Sequence, residues 1–403
     1  MRSLLSWARS LLRRAIARLV ITTTRRLLGP RESLVLFAAM SGRFYGDNSR
    51  HLFEWVLANK PEVEAVWITH DRAVLRQLRK AGLPVVNSRG LSGLIALARA
   101  RLAFFTDGLM DLVLEPWIVP DSLGLIALRH GRSVKRVRFA RLGHKIPEDE
   151  SQVKKREGSL IRRVISTSEW VSDLQEECLQ VGREKHVVTG YPRNDVLLDV
   201  PASHGESWRA YLGSLAPSHV LLYAPSWRHG RYPTRFFPFE DFDEQRLFAM
   251  LEENRCLLLM RPHRGDLIYA ESRDFFAQLL RCPWVRLATH VELPDVNAFL
   301  PFVDLLISDY SALYHDFLLL DRPMLFVPYD YDDFAVQNGF LYDYFELLPG
   351  EAIATQSAFE AALSGVISGE DPGRERRRRL RDRIHHYQDS RSCERVAQMI
   401  DTV

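Results

Sequence analysis

The chain has 403 residues, an ordinary apolar share of 46% and a formal net charge of +3. That length fits two domains better than one, and the near-neutral charge gives no argument for nucleic acid as a partner. The four cysteines, Cys178, Cys256, Cys282 and Cys393, are scattered without paired ligand spacing. This disfavours a disulfide framework and a zinc site and fits a reducing compartment.

The amino terminus departs from this balance. Residues 1–31 contain no acid, and Arg2, Arg9, Arg13, Arg14, Arg18, Arg25, Arg26 and Arg31 interleave with leucines, Trp7 and Ile16. The spacing predicts a basic amphipathic helix over residues 1–31 lying on an anionic membrane surface. An arginine-rich helix packed on the domain is the plainer alternative. A targeting peptide is disfavoured because no small-residue cleavage site follows a compact apolar core. No uninterrupted apolar stretch is long enough to span a bilayer.

Strands and helices then alternate. Ser33–Ala38, Ala65–Thr69, Leu102–Thr106, Gly124–Leu128, Val164–Ser166 and His186–Val188 read as strands. A polar loop with Tyr45, Asp47 and Asn48 leads into a helix through Leu52, Phe53, Trp55 and Val56. Residues 32–200 form one domain by this pattern. A stretch rich in Gly, Ser and Pro follows, and the alternation restarts over 201–370 with strands at Val220–Tyr223, Cys256–Met260, Leu305–Ile307 and Pro323–Val327. Helices close the chain over 371–403, and the run Arg374–Arg379 reads as a solvated helix face. The class is α/β with parallel sheets covered on both faces.

The second set of strands exits into polar residues: Ser226–Arg228, Arg261–His263 and Ser308–Ser311. In an open parallel sheet, ligands bind outside the carboxyl ends of the strands. Arg228, Arg261, His263, Ser308 and Ser311 would share that rim, with Asp309 orienting its turn. A helix opening on Ser311 would add free N–H groups and a positive dipole end. Cations, hydroxyls and amides in one place suit a nucleotide diphosphate. No G-x-G-x-x-G follows a strand and no P-loop is present, which disfavours NAD enzymes and ATPases. The acids of Tyr329–Asp333 read as a nucleotide-contacting loop or helix cap rather than a cation site. No cofactor and no resident metal are expected.

The segments Leu222–Arg228, Arg261–His263, Ser308–Phe317 and Arg322–Asp330, with Gly339-Phe340, Tyr342-Asp343 and Gly190–Asp195, resemble the signatures of the CDP-glycerol glycerophosphotransferase family, the teichoic acid polymerases and primases. The likeness extends more loosely through Tyr45–Asn48 and His130-Gly131, so it covers roughly residues 33 to 400. It implies a GT-B architecture, two Rossmann-like domains with the active site in the cleft between them. It also implies transfer of a polyol phosphate from a CDP-linked donor to a hydroxyl of a lipid-linked saccharide or growing polymer, with CMP leaving, at the cytoplasmic membrane face. In this resemblance His130 is the general base, and Lys135 and Asn48 join the substrate-binding set. Arg261, His263, Ser308 and Ser311 stabilise charge on the diphosphate, with Arg228 as a further phosphate contact. His130 and His263 are the two candidate catalytic groups. The family's Thr-Pro pair after His-Gly is Arg132-Ser133 here, and Arg129 stands where an aromatic is expected. Those differences bear on the acceptor more than on the chemistry. A glycosyltransferase using a nucleotide sugar and an inactive polymer-binding homologue stay open, as does a homo-oligomer.

Overall fold

The structure is a computed structural model. It describes residues 2–131, 134–141, 146–228 and 232–402, with side chains from residue 11 onward at the amino end. Arg132 and Ser133 lie outside the described residues. The chain forms two compact units: Met1–His130, His144–Asp195 and Arg391–Val403 make the first, and Gly131–Gly143 and Val196–Ser390 make the second.

The first unit is built on β1 (Arg31–Phe37), β2 (Glu64–Thr69), β3 (Val85–Asn87), β4 (Ala100–Phe105), β5 (Gly124–Ala127), β6 (Ile161–Ser166) and β7 (His186–Val188). Their order is β3-β2-β1-β4-β5-β6-β7, and every pairing is parallel. The strand order therefore reverses between β1 and β4. Near-continuous apolar runs such as Leu102–Phe105 suit strands buried on both faces. Phe37 stacks on Phe104 at 5.1 Å, and Phe53 and Trp67 close the same cluster. Cys393, Val396 and Ile400, near the carboxyl end, pack into this core. The Asp195 carboxylate accepts from the amides of Ser392 and Cys393 and so holds the start of that last segment.

The second unit carries β8 (His219–Tyr223), β9 (Cys256–Met260), β10 (Val285–Leu287), β11 (Leu305–Ser308), β12 (Met324–Phe326) and β13 (Glu351–Ala352). Their order is β10-β9-β8-β11-β12-β13, again parallel, with the switch between β8 and β11. Tyr223, Phe236, Phe237, Leu258 and Phe276 anchor its core.

Three observations correct the sequence reading. The helix after Ser311 begins at Leu313 and ends at Phe317, and its N-cap, Ala312, offers no side chain to the free amides. So short a helix supplies little of the expected dipole, because the macrodipole grows from aligned peptide units. The Arg374–Arg379 run is not uniformly solvated: Arg377 is fully buried and donates to Asp321 and to both oxygens of Asp371. The edge strands β3, β10 and β13 were not anticipated; each is two or three residues long.

A helix spans Arg2–Leu28. Ala17 and Ile21 are buried against the first unit, while Leu12, Ile16, Leu19 and Leu27 stay exposed. No helix among the described residues is long and apolar enough to cross a membrane.

Candidate active site

On the first unit, the chain leaves β5 through Leu128 and Arg129 and reaches His130. Arg129 has φ 58° and Gly131 φ 97°, so the backbone turns sharply at the histidine. Asn48 fixes that turn. Its Nδ2 donates to Leu128 O at 3.0 Å and to Arg129 O at 2.9 Å, and its Oδ1 accepts from the Arg193 amide. Asn48 is fully buried, so it is spent on the loop and positions His130. The adjacent Asp47 pairs with the Arg193 guanidinium at 3.0 Å.

His130 keeps 44% of its side-chain surface open, with Nδ1 4.0 Å from Asp107 Oδ1. Desolvation first, and then the Arg129 guanidinium, push its pKa below the ordinary histidine value, against Asp107 and Asp47. A neutral ring with an accessible edge suits a proton acceptor. The β1 and β4 exits beside it are tied by Asp111, which accepts from the amides of Ser41, Thr106 and Asp107. Burial pushes that carboxyl up to about 6 even though those amides favour its charged form.

On the second unit, the exits of β8, β11 and β12 are joined by a buried charge cluster. Arg228 donates from Nη1 to Asp309 at 2.6 Å, and from Nε and Nη2 to the two Asp330 oxygens at 2.9 and 2.8 Å. It also donates to Ser226 O. Its side chain is 1% exposed and lies near the rings of Tyr329, Phe334 and Tyr310. Desolvation opposes its charge, but Asp309 and Asp330 outweigh this and raise its pKa. Bidentate pairing of this kind is strong and directional. Arg228 is thus engaged with protein groups on three strand exits.

Asp309 also accepts from the Ser226 amide, and Ser308 Oγ donates to Ala224 O at 2.9 Å, with Ser308 fully buried. Arg261 donates to Ala288 O and Leu293 O at 2.6 and 2.9 Å, pinning the segment after β10. Burial pushes its pKa down to about 10. Ser311 is half-buried, and its Oγ accepts from the Leu313 amide at 3.4 Å. Arg228, Arg261 and Ser308 therefore hold the rim together.

His263 and Lys135 are further candidate anion contacts on this unit. The His263 ring stacks on Trp227 at 4.4 Å, 22° from parallel. Its Nδ1 accepts from the Gly265 amide at 3.1 Å, which assigns the proton of the neutral ring to Nε2. A Cβ on Gly265 would meet Trp227 Nε1 at 2.8 Å, so this close stack requires glycine there. Desolvation lowers the His263 pKa, with Asp266 opposing and Arg264 and Lys135 adding to it. Lys135 lies over the Phe334 ring with Nζ 5.4 Å from its centroid, and its backbone bridges to Phe340. Burial pushes its pKa down to about 8, Asp309 opposing and Arg228 contributing.

The sequence reading missed Asp330 as the second partner of Arg228, Trp227 as the platform for His263, and Asp111 as a hub. Asp330 had a signal, an acid directly after a strand, but the direction of the Arg228 side chain is not written in the pattern. Asp111 stands as a single acid within Leu109–Leu112, and a lone carboxylate among apolar residues is the mark of a buried hydrogen-bond acceptor.

Comparison with known proteins adds to this geometry. A Staphylococcus aureus teichoic acid glycerol-phosphate transferase is 24% identical over 402 residues, 94% of this chain and 96% of the relative. A Bacillus subtilis teichoic acid poly(glycerol phosphate) polymerase is 26% identical over 83% of this chain, and the alignment takes in 44% of the polymerase. Among solved structures, the wall teichoic acid polymerase TagF superposes with a TM-score of 0.79 at 19% identity, over 98% of this chain and 94% of that one. Residues 20–402 match the family described as CDP-Glycerol:Poly(glycerophosphate) glycerophosphotransferase. With nearly the whole length matched, the chain belongs to the CDP-glycerol:poly(glycerophosphate) glycerophosphotransferase family.

Proposed function

We propose that the protein transfers glycerol phosphate, or a close polyol phosphate, from a CDP-activated donor to a hydroxyl of a lipid-linked saccharide or growing teichoic acid-like polymer. The acceptor oxygen forms a bond to the β-phosphorus, the bond from that phosphorus to the bridging oxygen breaks, and CMP leaves. The hydroxyl proton passes to His130, which is neutral and open at its edge. His263 donates from Nε2 to the diphosphate, and the Lys135 ammonium offsets the charge gathering on the leaving phosphate. Arg228, Arg261, Asp309 and Ser308 act as positioning residues that keep the strand exits in place. Asn48 does the same for His130. Ser311 supplies a hydroxyl at the rim. In the GT-B manner, the acceptor side of the reaction belongs to the first unit and the donor side to the second.

The observation that carries this reading is the His263 Nε2–H, left as the ring's donor by the Gly265 amide on Nδ1 and braced by Trp227, together with a partly desolvated lysine on the same unit. Such a set suits a diphosphate. The exposed Leu12, Ile16, Leu19 and Leu27 on an arginine-rich helix support a peripheral site of action on the cytoplasmic face of the membrane, where a lipid-linked acceptor would be found.

Calorimetric titration with CDP tests the donor half. His263→Ala should weaken binding about ten-fold or more, the scale of one charge-assisted hydrogen bond, with thermal stability unchanged. Wild-type affinity in that variant would place the nucleotide elsewhere.

A further inference from the structure

The amino-terminal helix does more than expose leucines. A cavity of about 510 Å³ lies between it and the segment Trp117–Asp121, within the roughly 300–1,000 Å³ range of small-ligand sites. Four guanidinium groups line it: Arg18, Arg25 and Arg26 from the helix, and Arg156 from Glu148–Leu160. Asp121 is the one carboxylate among the described lining residues.

The walls are held in place. Arg25 donates to Ala98 O at 2.8 Å, and Arg18 to Trp117 O at 3.3 Å. Arg156 donates to Val119 O and Asp121 at 2.7 and 2.8 Å and lies 5.8 Å from the centroid of the Trp117 ring. Burial disfavours the Arg25 charge. The cluster therefore gathers more positive charge than one exposed carboxylate offsets.

Position on the helix says what the cavity faces. At about 100° per residue, Leu12, Ile16, Leu19 and Leu27 share one strip. Ala17 and Ile21, which pack on the unit, lie roughly opposite. Arg18, Thr22, Arg25 and Arg26 fall between the two. If the leucine strip enters a bilayer, the arginine strip and its cavity sit at the depth of the lipid headgroups. A tryptophan at that level is the usual companion of such an interface.

We propose that this cavity seats the phosphate of one anionic membrane lipid, gripped by Arg18 and Arg26 against the Trp117 segment. Docking is then a specific headgroup contact and not only a diffuse attraction of charge. The proposal rests on the peripheral-membrane reading above and adds a defined lipid site to it.

The test is flotation of the full chain with phosphatidylglycerol vesicles and with vesicles brought to equal charge by oleate, which carries no phosphate. The wild type should bind the phosphatidylglycerol vesicles about ten-fold more tightly, as expected for charge-assisted hydrogen bonds to phosphate. Arg18→Gln and Arg26→Gln should erase that preference. Arg13→Gln, an exposed arginine outside the cavity, should weaken both bindings alike by up to about five-fold. Equal binding of the wild type to both vesicles, or equal effects of the three variants, would overturn the headgroup site and leave the membrane reading standing. Saturable binding of inorganic phosphate without vesicles, lost in Arg18→Gln, alongside equal flotation with the two vesicle types would overturn it and assign the cavity to a soluble anion. Leu19→Glu separates the two levels: wild-type flotation in that variant would sink the membrane reading and the lipid site together.

Discussion

Replacement of Arg228 by alanine distinguishes a brace from a ligand contact. In the intact protein the guanidinium is 1% exposed, and its partners Asp309 and Asp330 are 1% and 9% exposed. Removing it leaves two carboxylates facing each other without their cation, and breaking a buried ion pair in this way costs ~3–5 kcal/mol. For a unit of about 200 residues each kcal/mol moves the transition by about 2–4 °C, so the ligand-free variant should melt roughly 6–20 °C lower. Arg228→Lys keeps the charge but cannot fork to Asp330 while reaching Asp309. It should recover part of the loss and remain ~1.5–3 kcal/mol short. Thermal unfolding followed by circular dichroism, without nucleotide, measures both. If Arg228 gripped phosphate instead, the ligand-free alanine variant would melt within about 2 °C of wild type and only its CDP affinity would fall. That pair of results would refute the bracing role.

Other outcomes follow from the same geometry. His130→Ala should leave CDP affinity intact and cut turnover by roughly 10²–10⁴. Because its pKa is lowered, the wild-type acidic limb should lie below the ordinary histidine value of about 6.5, and its disappearance in the variant is the check. Asn48→Ala removes two hydrogen bonds from the loop that carries His130. It should lower kcat while leaving the position of the acidic limb unchanged. Lys135 is cationic below about 8 and neutral above it, so CDP affinity should be full near pH 7 and decline as pH rises through about 8. Lys135→Arg should flatten that decline, since arginine stays charged across the range.

The central strands were legible because burial on both faces leaves unbroken apolar runs, as in Leu102–Phe105 and Cys256–Met260. The strands that escaped notice, β3, β10 and β13, all lie at sheet edges. An edge strand buries little, so Val85–Asn87 and Glu351-Ala352 carry no apolar run to betray them. At the site, the pattern located the polar strand exits, because a Ser, Arg or His directly after a buried strand must emerge at the carboxyl rim. It did not tell which way each side chain turns. Arg228 bends back to two carboxylates distant in sequence, and Ser308 bonds across to the β8 exit. His263 keeps its Nε2 as the donor because Gly265 supplies an amide to Nδ1. These outcomes depend on partners that fold in from elsewhere, and residue spacing does not encode them. On the amino-terminal helix one flank packs on the unit, as in the plainer of the two alternatives, while the other stays apolar and exposed.

The most direct test of the central claim is product formation by the full-length protein with anionic vesicles and a lipid-linked acceptor. CDP-glycerol, CDP-ribitol and UDP-sugars would be supplied separately, and nucleotide release followed together with phosphorus NMR of the product. The account predicts CMP release from a CDP-polyol, matched one for one by a new phosphodiester and abolished by His130→Ala. Release of UDP with a new glycosidic bond, and no phosphodiester from either CDP-polyol, would contradict it.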